Sequence, residues 1–268
     1  MFRRTSHDRA ILVVALPAFG ALIAEPIYVL TDTAIVGHIS TEALAGLAVA
    51  AAILLTVFSM LIFLAYGTTG IVGRLLGSGQ RREAAAQGVQ AVWLAIFSGA
   101  VVTVGIAFFS GALVDLFEPS ALVRKDALTY LRISLVGLVG QLIVMSGTGY
   151  LRGLQDTRTP LMVALAGALI NLGLELVLVF IFDLGIAGSA WSTVFAQWLC
   201  ALAYLVVISR ASQKLKTSVR PDFRRLFRYA RVGFHLFVRT SALRASFLLA
   251  AAVAARKGTT QLAAHQIS

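Results

Sequence analysis

A single cysteine, Cys200, in 268 residues leaves this chain neither a disulfide framework nor a cysteine metal site. His38, His235 and His265 stand apart from one another, so no His or Cys cluster supports a transition-metal centre. Charge is scarce, at 13% of residues against 59% hydrophobic, and the mean hydropathy is +0.87. That balance excludes an ordinary soluble domain. Also missing are a Ser with Lys pair and a His and carboxylate metal motif, which an intramembrane enzyme acting on lipid would need. The expectation is therefore that the chain is not an enzyme.

What is present is a series of long apolar runs. A hydrocarbon core of roughly 30 Å needs about 20 residues at the helical rise, and seven segments qualify. They run over 11–30, 43–66, 84–109, 128–150, 161–182, 185–208 and 232–255. In lipid each must satisfy its own backbone hydrogen bonds, and all are too long for barrel strands. The expected class is all-α, a polytopic membrane protein. The first run has no evident cleavage site and reads as a retained helix.

The formal charge of +11 raises nucleic acid as a partner, but its distribution supplies another cause. With the N-terminus inside and the spans threaded alternately, sixteen of the 23 basic residues fall on inside segments and four on outside ones, Arg124, Lys125, Arg256 and Lys257. Retention of basic loops in the cytoplasm produces that asymmetry. The expected location is the inner (cytoplasmic) membrane, with the lipid bilayer as partner and no nucleic acid.

Residues 209–231 form a long basic stretch containing Pro221 and Asp222, the best boundary in the chain. Phe223, Leu226 and Phe227 alternate with arginines there, which suits either a segment lying along the membrane surface or a solvated linker. Thr41, Leu44 and Ala45 reappear as Thr259, Leu262 and Ala263 at an offset of 218. Phe19, Leu30 and Ala34 pair likewise with Phe237, Leu248 and Ala252. The seventh span thus resembles a second copy of the first, as in transporters built from duplicated helix units. The expected organisation is a six-helix lobe over 1–208, a cytoplasmic linker over 209–231, and the first helix of a truncated second lobe over 232–268.

Ionisable groups at membrane depth are expensive and usually functional. Glu25 and Asp32 are seven residues apart in the first span, close to two helical turns, with Pro26 between them. Proline removes a backbone donor and favours a kink that frees carbonyls. In the fifth span Asn171 and Glu175 are four apart and share a face. Together with an acid of the first span they could hold a hard cation by oxygens or share a proton, or they could simply pin two helices together. Arg132 could neutralise one acid, or snorkel outward from five residues inside its span. Gly67, Gly70, Gly73, Gly77 and Gly79 adjoin no strand, so they read as close helix packing and loop turning rather than a dinucleotide fingerprint.

Several stretches carry a family resemblance: LPAFGALIAEPIYVLTDTAIVGHISTEALAGLA at 16–48, VGRLLGSGQRREA at 72–84, YLRGLQDTRTP at 150–160, the segments 171–175 and 185–193, and the terminal GTTQLAAHQI. By these the chain resembles the multidrug and toxic-compound extrusion (MATE) family, within its DinF-like branch. The resemblance implies twelve helices in two lobes, and efflux of drugs or other organic, often cationic, compounds driven by proton or sodium influx. It implies no cofactor beyond the coupling ion. It also assigns the coupling site to Asp32, Asn171, Glu175 and Thr193, with sodium as a candidate ion there. Glu175 departs from the Asp of the best-known members, which shifts a carboxylate by about a bond length and leaves the choice of ion open. Two rivals stand beside this reading. A lipid-linked oligosaccharide flippase of the same superfamily would place cations such as Arg239 and Arg244 in its cavity, and a membrane scaffold would transport nothing.

Overall fold

The computed structural model describes residues 29–227 continuously, together with 15, 16, 19, 20, 23, 26, 229–231, 233, 238–243 and 246. Among the described residues every regular element is helical. Helix α1 comprises 29–37. It is followed by α2 (Thr41–Met60), α3 (Phe63–Gly77), α4 (Arg81–Asp115), α5 (Ala121–Gly153), α6 (Arg158–Leu176) and α7 (Gly185–Lys214), with a π-helical turn over Val177–Ile181 between the last two. Five stretches are long and apolar enough to cross a membrane: Thr41–Gly77, Arg81–Asp115, Ala121–Gly153, Arg158–Ile181 and Gly185–Lys214. These match the second to sixth expected spans. Most of the first and seventh spans, and the repeat residues Phe237, Leu248, Ala252, Thr259, Leu262 and Ala263, lie outside the described residues.

Several bounds differ from expectation. Helix α1 continues through Asp32 to residue 37 rather than stopping at Leu30. Helix α5 starts at Ala121, so Arg132 is eleven residues into its helix, not five. Helix α7 runs to Lys214, past the expected lobe boundary at 208. Hydropathy finds only the lipid-facing part of a helix, and the polar turns at its ends are invisible to it. The second span is interrupted at Leu61 and Ile62. Just before that break the Thr56 and Ser59 hydroxyls donate to the carbonyls of Ala52 and Thr56, each at 2.7 Å, a local competition of the kind that bends helices.

Helix α5 is the hub, packed on α2, α3, α4 and α7. Lipid supplies little hydrophobic drive between helices, so close approach and dispersion must hold them. Small residues make that approach possible. A methyl group added to Gly147 would come 2.6 Å from the Tyr204 ring, and one on Gly88 would come 2.7 Å from Tyr150. Gly149 lies directly against the Ala65 backbone, and its carbonyl accepts a 3.0 Å hydrogen bond from Thr69 Oγ1. Tyr150 and Tyr204 are both buried, and Thr148 Oγ1 donates to the Tyr204 hydroxyl at 2.8 Å. The packing expected of the glycines in α3 is seen at Gly73, where a methyl group would lie 3.6 Å from the Gly153 carbonyl, but one on Gly67, Gly70 or Gly77 would meet nothing within 4 Å among the described residues, and Gly79 serves the turn with φ +76°. Most of the packing glycines face α5 or lie within it, and Gly167 and Gly188 serve the contact of α7 with α6 and the π-helical turn.

The 150–160 stretch is a built corner. Asp156 Oδ1 accepts the backbone N–H groups of Arg158 and Thr159 at 3.1 and 3.0 Å, and Oδ2 accepts the Thr159 hydroxyl at 2.6 Å. One carboxylate thereby caps the start of α6. Pro160 sits in that first turn, where no helical N–H is required.

The basic stretch after α7 is docked, not solvated. Gln90 of α4 donates Nε2 to the Arg220 carbonyl at 3.0 Å and accepts the Asp222 N–H at 2.8 Å, clamping the backbone on both sides of Pro221. Trp93 Nε1 donates to the Val219 carbonyl at 2.9 Å, and the Phe97 and Phe223 rings lie 6.1 Å apart. Asp222 caps the short helical stretch 223–227 through the N–H groups of Arg224 and Arg225. Leu226 is buried, whereas Phe223 and Phe227 are exposed. Arg225 Nη1 pairs with Glu83 Oε2 at 2.8 Å, and that carboxylate holds the guanidinium pKa above its ordinary value. Both groups are substantially exposed, so the pair orders the segment more than it stabilises it.

Two outcomes test this packing. Gly149→Ala should lower stability by about 1–3 kcal/mol, read as a lower unfolding midpoint in detergent, whereas Gly70→Ala should leave the midpoint unchanged. Gln90→Ala removes two hydrogen bonds of about 1 kcal/mol each, so amide exchange at residues 219–223 should quicken roughly tenfold to thirtyfold while α5 is unaffected.

Candidate functional site

Asp32 lies on the inward face of α1 with Ile35 and Val36, one turn apart, and all three are buried. Helix α6 contributes Asn171 and Glu175 from its inner face, and α7 contributes Ser189, Ser192 and Thr193. These six polar residues are each no more than 9% exposed, and they converge toward the α6–α7 turn. The structure thus brings together all four of Asp32, Asn171, Glu175 and Thr193, drawn from three helices.

The contacts are specific. Ser189 Oγ donates to Asp32 Oδ1 at 3.0 Å, a hydrogen bond that ties α1 to α7. Asn171 Nδ2 approaches Ser192 Oγ at 3.2 Å and Thr193 Oγ1 at 3.3 Å. The Ser192 hydroxyl donates to the Ser189 carbonyl at 2.7 Å. Glu175 is fully buried, and neither carboxyl oxygen accepts a hydrogen bond from a donor among the described residues. It lies close enough to Asp32 for the two carboxyl groups to act on each other, with Ser189 against both. Two acids in one buried site are a costly arrangement that a proton or a cation would relieve.

Local backbone features hold this geometry. The π-helical turn Val177–Ile181 begins two residues after Glu175, and such turns are frequent beside functional sites. The chain reverses through Asp183 and Gly185, both in the left-handed region at φ +52° and +53°. Gly188 then lets α7 approach the Leu178 carbonyl, which a methyl group at that position would meet at 3.0 Å. Ser189, the residue that reaches Asp32, comes immediately after it.

Of the other candidates, Glu25 lies outside the described residues, and Pro26 is helical and exposed. Arg132 is exposed and directs Nε toward Ser110 of α4 at 3.4 Å, away from the carboxyls. Arg239 is exposed, and Arg244 lies outside the described residues. No group of three or more His, Cys, Asp or Glu side chains is gathered as a metal site among the described residues. Ser189 and Ser192 were not singled out from the sequence. Their signal was the spacing 189, 192, 193, which puts three hydroxyls on one helical face of an apolar span.

Membrane-length helices that bury two carboxyls, an amide and three hydroxyls in their interior define a polytopic membrane protein with a polar site inside its bundle. Residues 17–177 match the family model MatE, and the chain belongs to that family. It is 27% identical over 97% of its length to the probable multidrug resistance protein NorM of Thermotoga maritima, covering 57% of that protein. It is 29% identical over 98% of its length to the DNA damage-inducible protein F of Escherichia coli, covering 58% of it. The fold matches that of the Vibrio cholerae MATE transporter VcmN in its bent form with a TM-score of 0.83 at 19% identity, over 97% of this chain and 59% of the other. The chain spans little more than half the length of the curated relatives it matches.

Ser189→Ala should cost about 1–3 kcal/mol by leaving a buried carboxyl oxygen without its donor. Ser189→Thr, which keeps the hydroxyl, should recover part of that loss in the same thermal-unfolding measurement.

Proposed function

We propose that this chain forms one lobe of a secondary antiporter that exports drugs or other organic, often cationic, compounds in exchange for inward-moving protons or sodium ions. It is read as a carrier rather than an enzyme. The observation that carries this is the meeting of Asp32 and Glu175 inside the bundle, with Ser189 against both. The surrounding donor set is oxygen throughout: two carboxyls, the Asn171 amide oxygen, and the hydroxyls of Ser189, Ser192 and Thr193. Such a set suits a hard monovalent cation or a shared proton.

In this reading, a bound proton or sodium ion lowers the charge that α1, α6 and α7 hold in low dielectric. Relief of that cost favours one arrangement of the lobes over another, and a ligand shifts such an equilibrium only through its differential affinity for the two states. Asp32 is the central coupling group because its helix ends near the site and is tied to α7 by one hydrogen bond. Protonation of Asp32 removes an acceptor charge from the Ser189 bond and loosens that tie. The protein sits in the cytoplasmic membrane with its N-terminus inside, following the placement of its basic loops, and a second lobe completes the central cavity.

Efflux from proteoliposomes holding the full-length protein tests this. Asp32→Asn should reduce gradient-driven efflux by roughly tenfold or more, and Glu175→Gln should reduce it less while altering the dependence on the driving ion. Imposing a pH gradient and a sodium gradient separately identifies the ion. Undiminished efflux by Asp32→Asn would remove Asp32 from the mechanism, and the absence of any solute flux in the wild type would leave a scaffold.

A further inference from the structure

At the end of the lobe opposite its basic loops, Ala121, Arg124, Lys125, Leu128, Thr129 and Arg132 line a groove of about 340 Å³. They recur every three or four residues and so share one face of the first three turns of α5. Arg124 is held in place by Asp115 at the end of α4, through Nε to Oδ1 at 2.6 Å and Nη2 to Oδ2 at 3.1 Å. Lys125 and Arg132 form no ion pair with a carboxylate among the described residues. Among the described residues the polar contact of Arg132 is Nε to Ser110 Oγ at 3.4 Å, too long to satisfy a guanidinium, and its two terminal nitrogens have no acceptor there.

Position makes this informative. Arg132 is exposed and lies four residues past the start of the apolar run at 128, about 6 Å along the helix, close to the interface, where an anion would relieve the cost of its charge. Apolar surface adjoins the groove's contacts with α4: Phe109, the residue before Ser110, and Leu116, the residue after Asp115, are 58 and 77% exposed. A groove of unpaired cations that opens beside an apolar wall fits a ligand with an anionic head and a hydrocarbon tail. A free inorganic anion would satisfy the cations and make no use of the wall.

We propose that this groove binds the phosphodiester headgroup of an anionic phospholipid, with Arg132 and Lys125 as the charge partners, Arg124 as a fixed edge, and the acyl chains along α4. A snorkelling arginine and lysine at the level where spans leave hydrocarbon are placed for such contact. The site is separate from the carboxyl pair, and nothing in its chemistry depends on transport.

Photoactivatable phosphatidylglycerol and phosphatidylcholine, each incorporated in nanodiscs with the full-length protein, provide the test. Phosphatidylglycerol should label residues 116–132 preferentially, and Lys125→Gln with Arg132→Gln should lower that labelling roughly tenfold. Arg210→Gln with Lys214→Gln, at the opposite end, should leave it unchanged. If the first pair fails to fold, Lys125→Gln alone should still reduce labelling, since Lys125 is exposed. Equal labelling by the two lipids, undiminished labelling in the variants, or full competition by soluble glycerol phosphate would each overturn the proposal. So would protection of this face by the remainder of the full-length chain.

Discussion

A polypeptide that crosses hydrocarbon has no water to satisfy the polar groups it carries, and the whole lobe is arranged around that fact. Its backbone must be helical wherever lipid surrounds it. Its helices gain little from hiding apolar surface from an apolar solvent, so they associate by touching closely. Helix α5 meets four other helices because Gly147, Gly149 and Gly153 let Tyr204, Ala65 and Val72 come into direct contact with it. The same requirement explains the local hydroxyl bonds, such as Thr68 Oγ1 to the Leu64 carbonyl at 2.6 Å. A side-chain donor inside the bundle takes the nearest carbonyl when no partner helix offers one.

Against that background the buried carboxyls stand out. Most buried polar side chains of the lobe are neutral; many make one or two bonds, while Ser134 Oγ and Gln87 Oε1 have no partner among the described residues. Asp32 and Glu175 are the buried acids among the described residues, and they lie together. A structure optimised for stability alone would separate them or exchange them for apolar residues of similar volume. Retention of the pair beneath a π-helical turn, and next to a glycine-mediated approach of α6 and α7, places the least stable chemistry where the backbone is least regular. In the function proposed above, this is the site that would respond to the arrival or loss of a single positive charge.

The docked basic stretch bears on how two lobes would be joined. Residues 216–225 run along α4 through bonds to Arg82, Gln90, Trp93 and Glu83, so this part of the connection moves with the lobe that precedes it. In the two-lobe protein proposed above, motion of the second lobe would be absorbed after Arg225. Charge alone suggested a solvated or surface-lying segment there. The clamp escaped sequence reading because its acceptors and donors are backbone groups, which every sequence possesses.

Much of the architecture was legible beforehand, and for a simple reason. Apolar length and the sidedness of arginine and lysine are summed properties of the residues themselves, so the five central spans, their helical class and the pairing of Asn171 with Glu175 on one face could be read directly. Helix ends could not, because the polar turns of α1, α5 and α7 carry no hydropathy signal. Which glycines pack was decided by tertiary structure alone: Gly67, Gly70 and Gly77 of α3 face open space among the described residues and those of α5 are in contact, although both runs look alike as sequence. Ser189 shows the same division. Its hydroxyl was visible as one of several on a helical face, but its role as the donor to Asp32 exists only because three helices distant in sequence converge, and the directions in which helices pack are set by side-chain shape rather than by composition.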